Sequence, residues 1–244
     1  MKKIIILATA VLLIAMNAQC ETITIVADEF CPYNCEPSSS EPGYMIEAAV
    51  EILGAAGHQV NYSLLDWDQA VEEAGAGKYN AVVGAAKEDA PGFIFPEEPM
   101  GGASNAFYTR KDDNWTYSGE ASLKGKKIVG ITSYTYDDKV DALIASNGMY
   151  VDSLEQALEA LLSGKADILP ENQYVMSMFT MKNFISDAIR KAGDVDGGES
   201  MVYVAFSPAN PKSKEYADTL TRGLKKMKTD GTWGKLIEKY GLSF

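Results

Sequence analysis

One stretch of this chain is written twice, and that repetition constrains the fold more than any other feature. Residues 66–83, DWDQAVEEAGAGKYNAVV, align without gaps on residues 153–170, SLEQALEALLSGKADILP, at a constant offset of 87. Each copy opens on a helix N-cap in a capping box, Asp66 with Gln69 and Ser153 with Gln156, where the side chains can satisfy orphan N–H groups of the first turn. Each then runs as a helix to a Gly-Lys stop, Gly77-Lys78 and Gly164-Lys165. Glycine takes a left-handed C-cap without steric cost, and the short apolar run that follows suits a strand buried in a helix-covered sheet. The pattern predicts two similar α/β lobes with a cleft between them.

The first twenty residues read as an export signal. Met1, Lys2 and Lys3 make a basic start, residues 4–16 are apolar, and Ala18-Gln19-Cys20 places a small residue at each end of a cleavage site. The apolar run is shorter than the roughly 20 residues of a membrane span. Cleavage is expected after Cys20 or Ala18. A lipid-modified Cys20 is the second reading, but such sites want Leu three positions earlier and a small residue just before the Cys, and Asn17 and Gln19 do not fit.

The formal charge is −12, and it becomes −14 when Lys2 and Lys3 are removed. A nucleic-acid or anionic-membrane surface needs clustered positive charge. No nucleic-acid partner and no direct membrane insertion are therefore expected, and Lys225, Lys226 and Lys228 beside Arg222 read as a solvated helix face. In an oxidising compartment, Cys31 and Cys35 in CPYNC are expected to form a disulfide. A zinc site would need more N or S ligands, and the chain has a single histidine, His58. No metal and no cofactor are expected.

Strand patterns fall at 22–27, 59–65 and 81–84, then at 107–109, 127–132, near Tyr150 and at 201–206. Helical spacing covers 44–53, 137–146, 173–184 and 213–240, the last broken at Asp230-Gly231. Residues 28–42 form a long polar loop that holds both cysteines.

The ending TLTRGLKKMKTDGTWGKLIEKYG, residues 219–241, resembles the closing helix pair of the bacterial extracellular solute-binding proteins of family 3. GYMIE at 43–47, GKYNAVVGA at 77–85 and FIFPEEP at 93–99 stand where that family has segments of the same kind. The resemblance implies an α/β, two-lobed periplasmic binding protein of type 2, each lobe a helix-flanked β-sheet, joined by two crossing hinge strands. The crossings would fall near 108–111 and 204–207. Lobe 1 would comprise 21–108 with 207–244, and lobe 2 would comprise 109–206. It also implies a monomer that works in the periplasm, captures a small polar, amino-acid-like ligand by hinge closure, and delivers it to the permease of an ABC transporter. No catalytic residue is expected.

In open α/β sheets a ligand sits beyond the carboxyl ends of the strands, near helix N-termini. Those places hold Glu29 and Tyr33 after the first strand, Trp67 after the second, and Ala85, Ala86 and Lys87 after the third. In the second lobe they hold Ser133, Tyr134, Thr135, Glu171 and Asn172. Trp67 reads as a stacking platform or as a core aromatic, and its place behind an N-cap, at the ligand end of the sheet, favours the pocket. The chain departs from the family at the clamp for an α-amino acid. The Arg expected in the first-lobe loop is replaced near Asp89, and the second-lobe acidic position falls near Asn172, with Glu171 beside it. A periplasmic enzyme resembling cyclohexadienyl dehydratase, with Glu171 as its acid, and a soluble sensor for a membrane receptor are the alternatives.

Overall fold

A computed structural model describes residues 21–132, 134, 136 and 138–242. The expected signal segment with Cys20, and the candidate site residues Ser133 and Thr135, lie outside the described residues. The chain begins with β1 (Thr22–Ala27), α1 (Tyr44–Ala55), β2 (Gln59–Leu64), α2 (Trp67–Gly75) and β3 (Ala81–Ala85). β1 pairs in parallel with both β2 and β3. Its side chains alternate between two layers, as the strand period requires. Ile23, Ile25 and Ala27 pack with the buried face of α1, whereas Val26 packs with Ala70 and Ala74 of α2.

Next come β4 (Gly101–Ala103), β5 (Asn105–Arg110), β6 (Val129–Ile131), α3 (Asp138–Asn147), β7 (Met149–Val151), α4 (Leu154–Leu162), β8 (Leu169–Asn172), α5 (Gln173–Lys182) and β9 (Ile189–Asp194). β10 (Ser200–Phe206), α6 (Ser213–Asp230) and α7 (Thr232–Lys239) follow. The strands sort into sheets of order β2-β1-β3-β10-β4, β8-β5-β9 and β6-β7. A parallel bridge between Ile128 and Ile168 ties the β6-β7 pair to the segment that enters β8. Two lobes result, the first closed by the C-terminal helices, which pack on α1.

The chain changes sheet at Ser104, between β4 and β5, and again at 195–199, between β9 and β10. The segments 108–111 and 204–207, where the crossings were expected, fall a few residues later in the chain. Asn105–Tyr108 already pair with β8, and Ser200–Val202 already pair with β4. The apolar runs at 106–108 and 201–206 keep the same character on either side of these points, so the sequence does not mark where the chain changes partners. β4 reads Gly-Gly-Ala and β9 reads IRKAGD, and neither carries a strand signal.

The two repeat helices, α2 and α4, are nine residues long and start at the same 87-residue offset. Both copies stop at glycines in the left-handed region, Gly77 at φ 86° and Gly164 at φ 77°. The capping box forms in one copy only. Ser153 accepts the Gln156 N–H at 3.3 Å, while Asp66 makes no cap hydrogen bond and the Gln69 side chain donates to Glu73 at 2.9 Å. At the chain's end, Gly231 at φ 82° divides α6 from α7, as expected.

Candidate functional site

The polar loop after β1 is closed on itself. Cys31 and Cys35 are joined by a disulfide with Cα atoms 4.5 Å apart. Phe30 and Asn34 pair through their backbones, and the Asn34 side-chain amide donates to the Asp28 carbonyl at 2.6 Å. This fixes Asp28 and Phe30 at the carboxyl end of β1, on the rim of a cavity of about 310 Å³.

That cavity draws its walls from both lobes. The first contributes Asp28 and Phe30, Trp67 at the start of α2, and Gly84, Ala86, Glu88 and Asp89 at the end of β3. The second contributes Tyr134 and Tyr136 after β6, with Glu171 and Asn172 at the end of β8. Ala103, Asn105, Ser200 and Val202, from the strands that link the sheets, form its floor. Gly84 lies at φ 88°, and a Cβ there would stand 3.2 Å from the Asn34 side-chain oxygen, so the position is suited to glycine alone.

Of the residues expected at the site, Trp67, Ala86, Tyr134, Glu171 and Asn172 line this cavity. Trp67 is half-buried and packs against the cores on both faces of the first lobe's sheet, so it is at once a wall and a core aromatic. Ala85 is buried within β3. Tyr33 is also fully buried and stands behind Phe30, stacked on it at 4.5 Å between ring centroids. The Tyr33 hydroxyl donates to the Gly102 carbonyl at 2.8 Å and accepts from the Asn172 amide at 3.3 Å, which ties the two lobes together behind the cavity. Glu29 is exposed and borders a separate cavity of about 320 Å³ beside Cys31, Leu154 and Lys182. Lys87 is exposed, its ammonium 5.4 Å from the centre of the Tyr203 ring and outside the lining.

The electrostatics are acidic. Glu171 is only 2 % exposed. Its Oε1 accepts the Asn172 N–H at 2.6 Å, and its Oε2 has no hydrogen-bond partner. Burial without a counter-charge pushes its pKa up to about 8. Asp28 is also raised, chiefly by burial. Asp89 is exposed and folds back on its own turn, where Oδ2 accepts the Ala86 N–H at 3.0 Å. The Asn172 side chain caps α5 by accepting the Tyr174 and Val175 N–H groups at 2.9 and 3.1 Å. The three arginines are engaged elsewhere. Arg110 holds the Leu161 and Ala166 carbonyls, Arg190 the Asp113 and Trp115 carbonyls, and Arg222 contacts Thr219.

Sequence reasoning did not single out Phe30, Gly84, Asn105, Ser200 or Val202. Phe30 and Gly84 are direct neighbours of named loop positions. Asn105 and Ser200 follow from the sheet changes at 104 and 195–199, which the sequence does not mark.

A model of the bacterial extracellular solute-binding proteins, family 3, matches residues 23–243. The L-cystine-binding protein TcyA of Bacillus subtilis (strain 168) is 22% identical over 221 residues, covering 85% of this chain and 75% of that protein. A probable histidine-binding protein of Campylobacter jejuni is 24% identical over 234 residues, covering 93% and 89%. Among solved structures, an ancestral arginine-binding protein bound to arginine superposes with a TM-score of 0.70 at 22% identity, covering 90% of this chain and 97% of that one. That last likeness is one of fold.

Proposed function

This chain belongs to the bacterial extracellular solute-binding proteins of family 3, and from that premise we propose that it captures a small polar, amino-acid-like molecule in the cavity between its lobes. The single observation that carries the reading is that the cavity is walled by the strand ends of both lobes and floored by the strands that link them. A ligand held there touches both lobes at once and stabilises whichever arrangement brings them together. It shifts the open–closed equilibrium only by the contacts it gains on closure. The pivots of that motion are Ser104 and residues 195–199, where the chain passes between sheets with no strand pairing of its own.

The protein acts outside the cytoplasmic membrane as a monomer, after removal of its export signal behind Ala18 or Cys20, and hands its ligand to the permease of an ABC transporter. Support for this comes from the family and from the amino-acid-binding relatives. Ligand-dependent thermal unfolding tests the reading. The mature chain, stripped of endogenous ligand, is scanned against the amino acids, their amines, organic acids and sugars. A compound at about 100 times its dissociation constant adds roughly 2.7 kcal/mol and raises the midpoint visibly. The compound is expected back unchanged from the complex, and conversion to a product would make the protein an enzyme. Trp67→Ala is expected to weaken binding about tenfold.

A further inference from the structure

The cavity presents four carboxyl groups, and the described residues that line it include no basic side chain. We propose that its ligand is a small organic cation, an amine or guanidine, held between carboxylates and aromatic faces with no basic side chain to anchor a ligand carboxylate. The inference rests on the capture reading above and narrows it to a chemical class.

Three observations lead there. The first is the pairing of charge with π-faces. Asp28 and Asp89 from the first lobe and Glu171 from the second stand among Phe30, Trp67 and Tyr134, and an aromatic face attracts a cation, most strongly where water is excluded. The second is Glu171 itself. Its Oε2 is buried in the lining with no hydrogen-bond partner, and a buried polar atom left unmatched is costly until a partner arrives. The third is that the second lobe's helix N-terminus and one donor of the turn after β3 are already occupied. Asn172 takes the Tyr174 and Val175 N–H groups at the start of α5, and Asp89 takes the Ala86 N–H. Lys87 is turned over the Tyr203 ring. The undescribed positions next to Tyr134 and Tyr136 are Ser133, Thr135 and Asp137, none of them basic.

Proton linkage gives the site a signature. The groups that face Glu171 from neighbouring elements are the phenols of Tyr108, Tyr134 and Tyr136, with Asp28, Glu88 and Asp89 on the opposite wall. None supplies a positive charge, so the empty cavity holds Glu171 protonated below about pH 8. A bound cation that uses the carboxylate expels this proton. Affinity therefore rises about tenfold between pH 6 and 7 and levels off above pH 8. In the unliganded protein the sign is opposite. The folded state holds the proton more tightly than the unfolded one, so this group's contribution to stability is complete below its unfolded pKa of 4.5 and is lost as pH rises to about 8.

Calorimetric titration of the mature chain with matched pairs tests this: agmatine against arginine, cadaverine against lysine, histamine against histidine, with glutarate as an anion. In whichever pair binds, the amine is expected to bind at least tenfold more tightly than the amino acid and to release close to one proton at pH 7, read from two buffers of different ionisation heat. Glu171→Gln replaces a neutral acid by a neutral amide of the same shape. It is expected to keep the fold, to remove the proton release and the pH slope of unliganded stability, and to weaken amine binding tenfold or more. Asp89→Asn, which keeps an acceptor for the Ala86 N–H, is expected to weaken it about threefold. Tighter binding of the amino-acid member of a pair, binding of glutarate, or binding of some other solute with no amine bound would overturn the cation assignment and leave capture intact. If no compound of the wider panel raises the unfolding midpoint, the capture reading itself fails.

Discussion

The two copies of the repeat make nearly identical helices and part company at their ends. α2 and α4 share length, offset and a left-handed glycine stop. β3, however, lies inside a five-stranded sheet between β1 and β10, whereas β8 is the edge of a three-stranded sheet beside β5. Where the first copy has Gly84, the second has Glu171, and both positions line the same cavity from opposite lobes. The first copy ends in an exposed turn with Asp89 open to solvent, and the second in a carboxyl group shut away from water. A local sequence unit therefore specifies a helix and its stop, while the surrounding sheet decides what the strand's end does.

Exchanging residues between the copies tests how far the likeness goes, and the core position gives the largest expected effect. Ala74 and Leu161 occupy equivalent places and are both fully buried. Leu161→Ala, which gives the second copy the first copy's residue, is expected to destabilise the protein by about 2–5 kcal/mol in denaturant unfolding. The reverse change, Ala74→Leu, crowds the smaller cluster around Val26, Val82 and Ala205 and is expected to cost about 1–3 kcal/mol. Equal tolerance at both positions would mean that the copies pack alike after all.

Gly84→Ala forces a side chain into the left-handed region at φ 88°, near Asn34, and is expected to cost about 1–3 kcal/mol by thermal unfolding. The caps differ least. Ser153→Ala removes an existing N-cap bond and is expected to cost about 1 kcal/mol. Asp66→Ala, where no cap bond exists, should fall within about 0.5 kcal/mol of the parent.

Much of the fold was legible because it is written in short-range signals. Strand alternation in TITIVA, the glycine stops and the Asp230-Gly231 break each depend on a few neighbouring residues, and each has its counterpart in the structure. The sheet changes were not legible in the same way. Phe107 and Tyr108 look alike whether they pair with β8 or cross between lobes, since pairing depends on distant partners. The candidate site was legible as a set of loops and only partly as side chains. Lys87 and Trp67 both follow strand ends, yet Lys87 turns to Tyr203 while Trp67 stays in the wall. Tyr33 was drawn out of reach by its hydrogen bonds to Gly102 and Asn172, contacts from segments 69 and 139 residues away in sequence.

The central claim is that a ligand is gripped by the ends of both copies at once. Hydrogen exchange followed by mass spectrometry, with and without the compound that most raises the unfolding midpoint, tests it directly. Slowed exchange is expected in the turn at 86–90 and at 171–175 together, with 101–105 following. Protection confined to one of the two strand ends, or spread over neither, would contradict capture between the lobes.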